Sequence, residues 1–382
     1  MRLVHTSDWH VGKPIRGRSR ASEHRAVLAE IAGVVDDLDA DLVVVAGDLF
    51  DSAAPAPESD EIVIDALLRF ARPGRAVMVV TGNHDNARRL RTLRPMFDRC
   101  GVTLVTEAVP AAAGGVHQFT TVTGCPVTVA MLPFVSQRGI VRAEQLMHGA
   151  AFEHAQLYAQ RLHALIELLA QSFTADAVNV LAAHAYVAGG ATGGGERAAH
   201  LVEEYAISSQ SFPVTASYVA LGHLHRPQQV AGATAMHYCG SPLQLDFGET
   251  SDVKQVNIVD CEPGLPARVT PHALRSGRPL RSFTGTLDEL AATVVDDDAW
   301  LRLIVREPHR AGLGDDVRSR FGDRVVEVRI EPPDGRTAPV RVARLGRTPH
   351  ELFDEYLAMQ RVEDPAIVAL FAELLEHLDG GQ

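Results

Sequence analysis

Five short segments constrain this chain more than any other feature: Asp8-Trp9-His10, Gly47-Asp48-Leu49-Phe50-Asp51, Gly82-Asn83-His84-Asp85, Ala183-His184 and Gly222-His223-Leu224-His225. Each closes an apolar, β-branched run of strand length, at residues 3–6, 42–46, 76–81, 178–183 and 218–221. Between the first three runs, residues 23–38 carry Val27, Ile31, Val34, Val35 and Leu38 at helical spacing, and residues 59–70 carry Ile62, Ala66, Leu67 and Phe70. Strand alternating with helix predicts an α/β fold with a largely parallel sheet covered on both faces. Ligands of such sheets collect at the carboxyl ends of the strands, which is where all five segments lie. Their carboxylates, imidazoles and amide are oxygen and nitrogen donors that suit Mn²⁺, Fe²⁺ or Zn²⁺. One His or Asp at a strand end says little; five ordered clusters predict a two-metal phosphoesterase.

Two divalent ions held close together repel one another and need an anion between them, and Asp48 is the candidate bridge. Asp8 and His10, two apart, share one side of an extended segment and, with His225, would hold one ion. Asn83, through its amide oxygen, His184 and His223 would hold the other. Such a pair raises the acidity of water and stabilises the attacking and leaving oxygens of an in-line displacement. His84 is expected to point away from its neighbour Asn83 and act as general acid or bond phosphate oxygens. Asp51 either accepts the other N–H of His84 and orients it, or fixes the loop or caps a helix. Asp85 is placed to hold its loop by accepting backbone N–H groups. His5, His24, His117, His148, His154, His163, His200 and His237 lack such company and are expected to be structural.

With 382 residues the chain is too long for one small core. Hydrophobic residues make up 46% of it, yet no apolar run approaches the roughly 20 residues of a membrane span. Strand pattern begins at Met1 with no signal-peptide core, and Cys100, Cys125, Cys239 and Cys261 are scattered without a Cys-x-x-Cys pair, so a cytoplasmic location without disulfides or a thiolate zinc site is expected. A net charge of −12 argues against coating nucleic acid through bulk electrostatics. Two local patches, Lys13/Arg16/Arg18/Arg20 and Arg88/Arg89/Arg91/Arg94, flank the first and third segments, as DNA contacts or as a solvated surface.

Further strands are expected at 127–132, 235–238 and 253–259, a long helix at 152–172, and a Gly-rich mobile loop at 189–195. The pattern changes near 271–279. Residues 280–333 read as a small α+β domain, 334–342 as a linker, and the remainder as two short helices. Thr348-Pro349-His350-Glu351 has the form of a capping box, and Asp364-Pro365 opens a helix with a broad apolar stripe from Ile367 to Leu378. That tail either docks on the chain's own core or reaches for a partner.

The order Asp-x-His, Gly-Asp-x-x-Asp, Gly-Asn-His-Asp, a strand-end His and Gly-His-x-His resembles that of calcineurin-like metallophosphoesterases. The wording His5-Thr6-Ser7-Asp8-Trp9-His10-Val11-Gly12, Thr81-Gly82-Asn83-His84-Asp85 and Gly240-Ser241-Pro242-Leu243-Gln244-Leu245-Asp246-Phe247-Gly248-Glu249 is similar to the SbcD family of bacterial nucleases, relatives of the eukaryotic meiotic-recombination nuclease. The resemblance implies an α/β fold, a β-sandwich flanked by helices, with a small α+β capping domain and a C-terminal helical tail. It divides the chain into a nuclease domain at 1–272, a DNA-capping domain at 273–340 and a helix-loop-helix at 341–382. It further implies two Mn²⁺ ions held by Asp8, His10, Asp48, Asn83, His184, His223 and His225, with His84 catalytic. It implies cleavage of double-stranded DNA ends and hairpins, the SbcC ATPase as partner of the tail, and a homodimer within a heterotetramer, with no membrane. The competing enzyme class is a metallophosphatase or small-molecule phosphodiesterase. Ser52 after Asp51 and Asp85 after His84 stand where the protein phosphatases of this superfamily typically carry Arg and Glu.

Overall fold

The computed structural model describes residues 1–136, 151–193 (backbone only for 151–155), 206–295 and 297–332, together with Phe353, Leu357, Ile367, Leu370 and Phe371. The chain divides into two compact units, Met1–Val305 with Gly312–Arg329, and Arg306–Ala311 with Ile330–Gln382.

The larger unit is built on two six-stranded sheets. In the first, Arg2–Thr6, Leu42–Ala46, Ala76–Val80 and Val102–Val105 run parallel, Gln255–Asp260 pairs antiparallel with Arg2–Thr6, and Arg268–Ala273 pairs antiparallel with Gln255–Asp260 at the edge. In the second, Pro126–Leu132, Val178–His184, Tyr218–Gly222 and Met236–Tyr238 are parallel, with antiparallel edges at Val116–Thr120 and Gln228–Gln229. The parallel strands are continuous Val, Leu and Ala runs because both of their faces are buried. Leu3, Leu42, Val44, Met78 and Val80 meet Val129, Met131, Val178 and Val180 between the sheets. The cover on the inner face of the first sheet is therefore a second sheet, with helices on the outer face alone. Truncating one of these contacts, Leu42→Ala for example, would cost about 2–5 kcal/mol.

The outer helices follow the expected pattern. Ala21–Asp37 buries Val27, Leu28, Ile31 and Val35, and Pro57–Phe70 starts on a proline and buries Ile62, Val63, Ala66, Leu67 and Phe70. A third helix, Ala87–Arg99, carries the second Arg patch and buries only Leu90 and Phe97. So narrow an apolar face leaves little periodicity to read, although Asn86 caps its start through Arg89 N–H.

Residues 273–340 begin differently from expectation. The boundary at 272/273 falls inside the Arg268–Ala273 strand, which completes the first sheet. That edge strand is largely exposed and contains Pro271, so it lacks the alternation that would announce it. Leu280–Gly285, Trp300–Arg306 and Val325–Glu331 then form a three-stranded sheet, with helices at Leu287–Thr293 and Leu313–Phe321. Thr286 and Glu289 form a capping box at the first of these helices. Leu280, Trp300 and Val326 pack with Ile15 and Phe247 of the sandwich.

In the smaller unit, Phe353 and Phe371 stack with ring centroids 3.8 Å apart, and Leu357 is buried while Leu370 is exposed. The linker, the capping box at 348–351, the helix start at 364–365 and residues 194–195 of the Gly-rich loop lie outside the described residues.

Candidate metal centre

The structure brings the nine predicted residues to one place. Asp8, Asp48 and Asn83 follow the parallel strands of the first sheet, His184 ends a strand of the second, and His223 and His225 follow its neighbour. The sandwich thus presses the carboxyl ends of both sheets against each other. Asp8, His10, Asp48 and His223 all take left-handed backbone, with φ of 52°, 46°, 52° and 112°. Non-glycine residues pay a conformational penalty there, and the surrounding structure must over-determine them. The glycines before Asn83 and His223 answer a steric need. A Cβ on Gly82 would fall on the Asp48 carboxylate, and one on Gly222 on the Ala46 carbonyl.

Two donor sets face each other. In the first, His10 Nε2 and His225 Nε2 lie 3.1 Å apart, and Asp8 places an oxygen within 4.8 Å of donor atoms of both. In the second, Asn83 Oδ1 lies 3.0 Å from His184 Nε2 and 2.9 Å from His223 Nδ1, and those two nitrogens are 3.3 Å apart. Asp48 Oδ2 stands between the sets, 3.5 Å from His10 Nε2 and 3.4 Å from His184 Nε2.

These spacings fit metal ions. Donors bonded at about 2.1 Å to one ion are separated by roughly 3.0 Å along an octahedral edge and about 3.4 Å along a tetrahedral one. The tautomers fit as well. His184 Nδ1–H donates to the Ala46 carbonyl at 2.8 Å and His225 Nδ1–H to Glu249 Oε1 at 3.1 Å, so each turns Nε2 inward.

The electrostatics call for positive charge. Burial pushes the Asp8 carboxyl up to about 6, with Asp48 adding to the shift and the neighbouring histidines opposing it. Burial would raise Asp48 too, but His184 and His10 hold it well below the usual carboxylate range. Burial disfavours a charged His184, and Asp48 overcomes that to bring it up to about 9. In the chain alone a proton on His184 answers Asp48; divalent cations answer both carboxylates.

His84 sits at the rim of this arrangement, its ring 4.5 Å from that of His10. Its Nδ1–H donates to the backbone carbonyl of Asp51 at 2.8 Å. The expectation that the Asp51 carboxylate orients His84 is thereby corrected. The carboxylate instead faces Lys13 Nζ at 3.3 Å and His10 Nδ1 at 3.5 Å, and the main chain orients His84. Asp85 holds the loop, accepting from Gly82 N at 2.9 Å, Leu49 N at 3.2 Å and Phe50 N at 3.1 Å. His84 N–H donates to Asp48 Oδ1 at 2.8 Å, so one turn fixes both residues.

The histidines expected to be structural lie elsewhere. His5 bonds Tyr218 Oη between the sheets, His24 the Arg20 carbonyl and His117 the Gly114 carbonyl, while His163 pairs with Glu167 and His237 stacks on Tyr218. His148, His200 and the His154 side chain lie outside the described residues. Most of the basic residues have internal partners: Arg20 with Glu23 in the interior, Arg16 with Glu327, Arg18 with Asp323, Arg89 with Asp60, Arg91 with Glu107 and Arg94 with Asp98.

Several residues escaped the sequence reading. Glu249 is fully buried and bonds His225, and Lys254 Nζ lies 2.7 Å from Glu249 Oε2 and 3.0 Å from the His225 carbonyl. A signal existed: the chain has only two lysines, and both sit beside the centre, Lys13 on Asp51 and Lys254 on Glu249. Ser7 Oγ donates to Asp8 Oδ2 at 2.6 Å. Phe134 stacks along His223 with centroids 6.2 Å apart, and Tyr186 stands 6.4 Å from the same ring, walling the second donor set.

The family model for calcineurin-like phosphoesterases matches residues 1–227. Over 322 residues the chain is 34% identical to the D subunit of nuclease SbcCD from Bacillus subtilis (strain 168), covering 82% of this chain and 81% of that one. It is 31% identical to the corresponding SbcCD nuclease chain of Rhodobacter capsulatus over 71% of this chain and 69% of the other. For that of Escherichia coli (strain K12) the identity is 29%, over 79% and 77% of the two chains.

Proposed function

The chain belongs to the calcineurin-like phosphoesterases, and from that premise we propose that it is a metal-dependent DNA nuclease, the D subunit of an SbcCD-type complex. One observation carries the reading: two donor sets with edges of 2.9–3.3 Å, joined by Asp48 Oδ2 at 3.4–3.5 Å from each, assembled from both sheets.

Asp8, His10, Asp48 and His225 would hold one ion, and Asp48, Asn83, His184 and His223 the other; we assign both as Mn²⁺. Bound there, the pair would supply an activated water and Lewis acidity toward the scissile phosphate. The chain's own residues do the rest. The carbonyl of Asp51 keeps Nδ1–H of His84 engaged, so Nε2 is the atom that holds or yields a proton at the leaving oxygen. Phe134 and Tyr186 stand against His223 and narrow the approach on the second side.

The substrate in this proposal is a double-stranded DNA end or hairpin, cut by 3′–5′ exonuclease and endonuclease action in DNA repair, recombination and replication. With a net charge of −12 and most of the flanking arginines internally paired, affinity for DNA rests on the ions, on a partner and on local residues rather than on the whole protein's field. Residues 273–340 would cap the DNA and 341–382 would bind the SbcC ATPase, in a heterotetramer that contains two copies of this chain. No helix among the described residues is long and apolar enough to cross a membrane, and we assign the complex to the cytoplasm.

The test is an end-labelled duplex and a hairpin incubated with the full chain and Mn²⁺, with and without SbcC and ATP. Metal-dependent shortening of the duplex or opening of the hairpin supports the reading. Turnover of phosphoproteins or cyclic nucleotides with no DNA cleavage under any of these conditions overturns it in favour of a phosphatase.

A further inference from the structure

The segment 242–252 has two faces with different tasks. On one face Glu249, fully buried, accepts from His225 Nδ1–H at 3.1 Å, meets Lys254 Nζ at 2.7 Å and accepts from Leu245 N at 3.0 Å. Lys254 in turn donates to the His225 carbonyl and to Ser241 Oγ, each at 3.0 Å, so His225 is held at its ring and at its main chain by one buried ion pair. On the other face Phe247, two residues earlier, is buried with Leu280, Trp300 and Val326 of the three-stranded sheet, and the guanidinium of Arg302 lies 4.8 Å from its ring.

Gln244 ties the faces together. Its Oε1 accepts from Leu280 N at 2.7 Å, the first residue of that sheet. Its Nε2 donates to the carbonyls of Glu249 at 3.0 Å and of Thr250 and Asp252 at 3.3 Å. A second tie runs alongside, from Trp300 Nε1–H to Glu23 at 2.9 Å, with the Arg20 guanidinium on the same carboxylate and on the Gln244 carbonyl. A shift of the sheet that carries Phe247 or Leu280 with it must displace the backbone that presents Glu249.

We infer that Glu249 is a positioning residue for the first metal ion, and that residues 244–249 make its hold on His225 depend on the seating of the three-stranded sheet. The inference rests on the reading of His225 as a metal ligand. A carboxylate on the far nitrogen of a ligating histidine fixes the ring and makes it a better donor, typically by 10–100-fold in metal affinity. Here that carboxylate belongs to a segment whose other face is part of a second structural element, so seating and affinity are coupled.

The experiment is a titration of the metal-free full chain with Mn²⁺, followed by calorimetry and by electron paramagnetic resonance, for the wild type, His225→Ala, Glu249→Gln, Gln244→Leu and Phe247→Ala. His225→Ala defines the class of sites to which the residue belongs. Expected are a loss of about 10–100-fold in that class alone for Glu249→Gln, and a smaller loss of about 3–10-fold in the same class for Gln244→Leu and Phe247→Ala. Should Glu249→Gln fail to fold, Glu249→Gln/Lys254→Met removes both buried charges together and carries the same comparison. Equal weakening of both classes, as general destabilisation would give, overturns the inference. So does an unchanged titration for Glu249→Gln. If His225→Ala itself leaves both classes intact, the ligand reading beneath the inference fails instead.

Discussion

On the Asp8–His10–His225 side of the centre the braces are a serine hydroxyl, a buried ion pair and, on Asp8, the His223 N–H, whereas on the Asn83–His184–His223 side they are a strand carbonyl and a turn closed by Asp85. Ser7 bonds Asp8, Glu249 bonds His225 and Lys254 bonds Glu249. Across the bridge, His184 leans on the Ala46 carbonyl, the last residue of a central strand, and Asn83 is presented by the turn that Asp85 ties down. A brace made of sheet backbone moves only if the sandwich moves. A brace made of a buried ion pair depends on every residue that keeps that pair in register, and residues 244–249 reach as far as the three-stranded sheet. If Glu249 positions the first ion, the first side is the one whose affinity the three-stranded sheet can alter.

Asp48→Asn should erase the distinction, because it weakens the carboxylate whose Oδ2 stands between the two donor sets. Both classes of Mn²⁺ should weaken together and cleavage should fall by about 10⁴-fold or more, read by metal analysis and by release of labelled nucleotides. His84→Ala should cut turnover by about 10²–10⁴-fold with Mn²⁺ binding unchanged on both sides. A parallel loss of metal would make His84 a ligand and redraw the boundary between the sides.

The pair His223→Ala and His225→Ala sharpens the comparison further. Each should remove one class and spare the other, and identical titrations would mean that the two sides are a single cooperative unit. Asp85→Asn probes the brace on the second side. It weakens a carboxylate that accepts three main-chain N–H groups, at a cost of about 1–3 kcal/mol in denaturant unfolding. Its Mn²⁺ loss should be concentrated in the Asn83 class.

One further effect lies outside the centre. Burial holds His5 at about 3 and His24 at about 4, against 6.5 in an unfolded chain. The unfolded state therefore binds protons that the folded state refuses, and stability falls as pH drops below 6.5. The slope is about 1.4 kcal/mol per pH unit for each group, ending near pH 3 for His5 and near pH 4 for His24. Thermal unfolding of the metal-free chain across that window should show the decline, and His24→Leu should make it shallower above pH 4.

Much of this was legible in the linear chain. A buried parallel strand must be apolar along its whole length, so its end is marked wherever polar residues begin, and the donors at 8, 10, 48, 83, 184, 223 and 225 stand at such ends. The helices at 21–37 and 57–70 were equally plain, because one face of each is fully committed to the core. The helix at 87–99 and the edge strand at 268–273 were not, because each buries too little to impose a period on its sequence.

Tertiary structure alone decided the rest. That two sheets face each other brings His184 and His223 against Asn83 and Asp48, residues that are 101 and 136 positions apart in the case of His184. Asp51 shows the limit most clearly: its identity suggested a carboxylate partner for His84, yet its main-chain carbonyl makes that bond and its carboxylate turns to Lys13 and His10. Side-chain chemistry is written in the sequence, but every residue also carries a carbonyl that folding can aim. Glu249 carries the same lesson from the other direction. An acid seven residues beyond a Gly-Ser-Pro turn has no local mark of function, and becomes a partner of His225 only because the interior excludes water and surrounds it with Lys254, the Leu245 N–H and one imidazole.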